Sequence, residues 1–91
     1  MSQEINKHVA RAIVEFAIFL EFSGGDALNP DAAMQGLERL ASTLQMMDLE
    51  SKSSLCSQFK SIAIEYSDEQ AEFVESLGEA LGLIEEYFAH Q

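Results

Sequence analysis

The stretch VARAIVEFAIFLEF, residues 9–22, decides the fold. Eleven of its fourteen residues are apolar or alanine, and only Arg11, Glu15 and Glu21 are charged. Such a segment cannot be left in water, so the rest of the chain must cover it. Ile5, Val9, Ala12, Ile13, Phe16, Phe19 and Leu20 recur at three- and four-residue spacing, which predicts a helix with one broad apolar stripe. Val14, Ile18 and Phe22 form a second ridge at i, i+4, i+8, through the face that holds Lys7, Arg11 and Glu15. The helix is expected to start after Ser2, a candidate N-cap with Glu4 in the first turn. It should end near Ser23, because Gly24 and Gly25 offer the left-handed cap position at little steric cost.

Outward from that helix, Asn29-Pro30-Asp31 is a start signal: an N-cap, a proline at the first helical position and an acid in the first turn. Helix 2 then sets Ala33, Met34, Leu37, Leu40, Ala41, Leu44 and Met47 on one face, with Gly36 as its weak point. Asp48 caps helix 3, whose inward face is Leu55, Phe59, Ile62 and Tyr66, flanked by Cys56 and Ala63. Serines 53, 54, 57 and 61 cover its outer face, and serine competes with the helix for backbone hydrogen bonds. This helix therefore has the weakest local support. Ser67-Asp68-Glu69-Gln70 reads as a capping box. Helix 4 follows, with Phe73, Val74, Leu77, Ala80, Leu81, Ile84 and Phe88 on one side and Asp68, Glu72, Glu75, Glu79 and Glu86 on the other. Gly78-x-x-x-Gly82, with Ala71 in line, is a small-residue strip suited to close helix packing.

Four amphipathic helices on short connections predict an all-α, antiparallel four-helix bundle with helix 1 most buried, in a single domain over residues 1–91. Phe16, Leu20, Leu37, Leu44, Phe59, Leu77, Leu81 and Ile84 are the expected core. The chain shows no internal repeat, low-complexity segment or strand-like alternation.

The net charge is −11 and unevenly placed. All five bases lie in the first sixty residues, whereas residues 61–91 carry eight acids and no base. Nucleic acid and anionic membrane surfaces are thereby disfavoured, and a basic protein partner is allowed. MSQEINKHV has no basic run followed by an apolar core, so no signal peptide is expected. The apolar stretch from Val9 is too short and too charged to span a bilayer, and one cysteine, Cys56, cannot form an internal disulfide. The cytoplasm is the expected compartment.

Motifs for chemistry are sparse. Cys56 sits at the edge of an apolar stripe and reads as a structural thiol; His8 and His90 stand near the two ends. Glu4/His8 and Glu86/His90 are i, i+4 pairs, but no Glu-x-x-His unit and no EF-hand loop occurs, so neither metal nor cofactor is expected. In size, acidity and helix count the chain is similar to acyl carrier proteins. Their Asp-Ser-Leu attachment motif is absent, since Ser54-Leu55 is preceded by Ser53. It is similar in the same coarse way to the small acidic immunity proteins of nuclease colicins, again without a shared motif.

The expected function is a non-enzymatic inhibitor, immunity or adaptor protein for a basic partner. The contact would be Asp68, Glu72, Glu75, Glu79 and Glu86, with Leu83 as an apolar anchor among the acids. The alternative is a dimeric scaffold protein that self-associates through Val14, Ile18 and Phe22.

Overall fold

A computed structural model of the chain describes residues 5–22 and 29–84. These residues are helical without strand: α1 Lys7–Phe22, α2 Pro30–Leu44, α3 Leu49–Ala63, α4 Asp68–Glu75 and α5 Leu77–Ala80. They pack as a helical bundle in which α1 lies against α2, α3 and α4, and α3 runs along α4 and α5. No helix of the described residues is long and apolar enough to cross a membrane.

Helix α1 begins later than Ser2; that residue and Glu4 lie outside the described residues. Asn6 takes the capping role, its Oδ1 accepting from the His8 N–H at 2.8 Å and its carbonyl from the Ala10 N–H at 3.0 Å. The buried side of α1 is Ala10, Val14, Ala17 and Leu20. This corrects the expected stripe, because Val9 and Phe16 are 53% and 49% exposed, and Phe19 is also exposed. Counting apolar residues favours the phenylalanine side, yet two alanines seven residues apart let the helix approach the core closely. Larger side chains are displaced to the flank. Arg11 stays near the buried side because its guanidinium pairs with Glu65, just past the end of α3.

The centre of the molecule is α3, not α1. It contributes Leu55, Cys56, Phe59, Ile62 and Ala63 to the core, including the largest fully buried side chain, Phe59. Burial of this face overrides the modest propensity of its serines. Asp48 caps the helix as expected, Oδ1 accepting from the Ser51 N–H at 2.7 Å. Helix α2 starts where Asn29-Pro30-Asp31 says, with Asn29 Oδ1 accepting from the Asp31 N–H at 2.7 Å. Its apolar face lies partly buried against the core and supplies no fully buried residue. Gly36 has a reason to be there: a Cβ at that position would stand 3.1 Å from both methyls of Leu20.

The expected fourth helix is broken. Ser76, at φ −96°, sits between α4 and α5, and its hydroxyl donates to the Glu72 carbonyl at 3.0 Å. Such back-bonding bends helices. At the other end, Ser67 makes no side-chain cap bond and Asp68 takes a left-handed φ of 55°, so the expected capping box does not form.

Gly82 then ends α5 at φ +73°. The Leu83 N–H donates to the Gly78 carbonyl at 2.9 Å and the Gly82 N–H to that of Glu79 at 3.0 Å, the two bonds of a Schellman motif. Gly82 is therefore a cap, whereas Gly78 serves close packing: a Cβ there would stand 2.5 Å from Cys56 Sγ.

Of the expected core, Leu20, Phe59, Leu77 and Leu81 are buried, and Leu37 and Leu44 pack against them. Phe16 and Ile84 are exposed, Ile84 because it follows the reversal at Gly82. Phe88 lies outside the described residues.

Candidate functional site

The acids read from the sequence fall on both sides of the Ser76 break. Asp68, Glu72 and Glu75 are exposed on α4 and Glu79 is exposed on α5; Glu86 lies outside the described residues. Glu75 and Glu79 still meet, on the rim of a cleft of about 190 Å³ that also takes in Cys56, Lys60 and Gly78. Lys60 is thus a cation within this acidic surface, which the sequence places in a different helix and does not bring near. Among the described residues the one ion pair within 4.0 Å is Arg11–Glu65, so neither glutamate is neutralised at contact distance.

Leu83 does not belong to this surface. The expected anchor is 3% exposed and part of the core cluster. A straight helix would carry it to the acidic side, but the left-handed turn at Gly82 folds it inward. An apolar residue directly after a glycine that ends a helix is the signal that identifies such a buried position.

The self-association ridge is taken up within the chain in part. Val14 is 0% exposed, Ile18 packs against the core, and the Phe22 ring meets Phe73 of α4 edge-on with centroids 5.5 Å apart. Of the three, Val14 offers no surface to a second chain, and Phe22 remains 37% exposed.

The cleft beside Glu75 and Glu79 has little nucleophilic capacity. Burial pushes the Cys56 thiol up from its ordinary pKa, with Lys60 acting weakly in the opposite direction. A protonated, enclosed thiol is a poor nucleophile. His8 is exposed on α1, and His90 lies outside the described residues. Among the described residues, no three of His, Cys, Asp and Glu come together as metal ligands.

Two other concavities arise when the helices assemble. A shallow cleft follows the serine face of α3, and part of its polar capacity is used internally. Ser54 Oγ accepts from the Ile5 N–H at 3.0 Å, and Gln58 Nε2 donates to the Ile5 carbonyl at 2.6 Å. The second is an apolar groove of about 380 Å³ between α2 and the α4–α5 pair, floored by Leu77 and Leu81. Its signal was present in part, as Met34/Leu37 and Phe73/Leu77 at helical spacing, but which helices face one another is a property of the assembled bundle.

No protein-family model matches the chain, and neither curated proteins nor solved structures give a match.

Proposed function

We propose that this chain is a non-enzymatic interaction protein, of inhibitor, immunity or adaptor type, that binds a basic protein through the acidic surface of α4 and α5. The observation that carries the reading is the one-signed charge. Residues 61–91 hold eight acids and no base, and Asp68, Glu72, Glu75 and Glu79 all stand exposed. Like charges at i, i+3 and i, i+4 cost a few tenths of a kcal/mol per pair. Mixed charges would give solubility without that cost, so acids of one sign along α4 and α5, with Lys60 of α3 at the cleft between them, favour a binding role. It speeds and orients association with a basic surface, and its effect falls as salt rises. The connections over 45–48 and 64–67 are short, which supports an antiparallel bundle as the scaffold.

The test is a partner captured from the source cell. Glu72, Glu75 and Glu79 are changed together to Lys, with circular dichroism to verify the helices. Binding should weaken and lose its salt dependence. A triple variant that binds like the parent, with the same salt dependence, shows that the acids are only a solvated surface.

Self-association remains a second reading, moved to another side of α1. The observation favouring it is the exposure of Val9 and Phe16, with Phe22 of the ridge also part-exposed. Sedimentation at micromolar concentration decides it, a clean monomer ending the idea.

A further inference from the structure

The surface proposed above lacks an apolar anchor once Leu83 is seen to be buried. Charge alone steers partners, whereas affinity comes mainly from a few apolar side chains in desolvated pockets. The groove between α2 and the same α4–α5 pair offers such a pocket, with acids of its own. Its floor is Leu77 and Leu81, its walls are Leu37 and Phe73, and Met34, 62% exposed, forms a lip. The volume of about 380 Å³ suits large apolar side chains, and methionine at the lip adapts to their shape. Glu21 from α1 and Glu38 from α2 also border it, and among the described residues no lysine or arginine does.

We propose that this groove takes the apolar face of a basic amphipathic helix from the partner. Leucine, methionine or phenylalanine side chains at i and i+3 or i+4 would enter between α2 and α4–α5, the usual register of a helix in a groove. Lysines or arginines flanking them would meet Glu21 and Glu38. The acidic rim selects against a second copy of this chain, whose net charge is −11. An uncharged alkyl chain would have no use for that rim. The assignment rests on the basic-partner reading above and gives that partner a shape.

The probe is a fluorescent helical peptide of leucine and lysine in amphipathic order, titrated with the full chain and read by anisotropy. Two further peptides accompany it: the same composition scrambled, and an amphipathic helix of leucine and glutamine. The ordered basic peptide should bind about tenfold more tightly than either. Met34→Lys and Glu38→Lys should each weaken it severalfold or more, whereas Met46→Lys, at an exposed position outside the groove lining, should not stand out. Urea midpoints verify that each variant is folded. If the scrambled peptide binds equally well, and Met34→Lys and Met46→Lys weaken binding alike, the groove is not the site and the basic-partner reading stands on charge alone. If the glutamine peptide binds as tightly as the lysine peptide, the occupant is not selected by charge and the assignment is overturned. Should neither basic peptide bind at low salt, the groove and the basic-partner reading fall together.

Discussion

At Gly82 a single backbone angle decides where the following side chain goes. With φ at +73°, the chain reverses and Leu83 enters the core instead of the acidic surface. A Cβ at this position would also stand 2.5 Å from Gln45 Nε2, the group that donates to the Leu81 carbonyl at 2.8 Å. Gly82→Ala should therefore cost about 1–2 kcal/mol from the left-handed conformation alone, read as a lower urea midpoint. Asp48 acts at the same scale. The Ser51 N–H holds its carboxyl below the usual carboxylate range, and Arg11 does the same for Glu65. A carboxylate whose folded pKa is lowered adds stability above its unfolded pKa, about 4, and loses it as pH falls through the folded value. Asp48→Asn keeps an acceptor for the cap but cannot titrate. Its urea midpoint should thus lose less than that of the parent on acidification below about pH 4. The caps at Asn29 and Asp48 were legible because a cap is a local affair of three or four residues. Gly82 was not, since a small residue reads alike in a packing strip and in a terminating turn.

Four helical segments could be located from apolar spacing, but their inward direction could not always be read. For α3 the pattern suffices, because Leu55, Phe59 and Ile62 are its only large apolar row in the helix interior and all three are buried. For α1 two rows compete, and the row with smaller side chains wins because neighbouring helices come closer to alanine than to phenylalanine. Truncation measures the difference. Phe59→Ala should cost about 3–5 kcal/mol. Phe16→Ala, at a half-exposed position, should cost under about 1.5 kcal/mol. Equal losses in the two urea midpoints would return α1 to the centre of the fold. The break between α4 and α5 escapes the apolar pattern altogether, since Val74, Leu77 and Leu81 keep helical spacing across it. The candidate site shows the same division. The acids and their exposure follow from residue type, while the cleft shared with Lys60 and the groove beside Met34 arise only when helices distant in sequence are assembled.

For the molecule as a whole, a charge of −11 on ninety-one residues is a standing repulsion that folding concentrates. One ion pair among the described residues does little against it. Added salt should raise Tm, and a gain of about 1 kcal/mol corresponds to roughly 4–8 °C in a domain of this size. A Tm that falls with salt would mean that attractive pairs outweigh the repulsion. One tie joins residues far apart in the chain: both backbone groups of Ile5 are taken by Ser54 and Gln58 of α3. Ile5 precedes α1, where frayed chain would ordinarily trade its amide proton with solvent in moments. Here the proton is held by a serine hydroxyl of the central helix. In deuterium oxide the Ile5 amide should exchange more slowly than an unbonded amide, so that this position ahead of the first helix acts as a clock for the parting of its entry from α3.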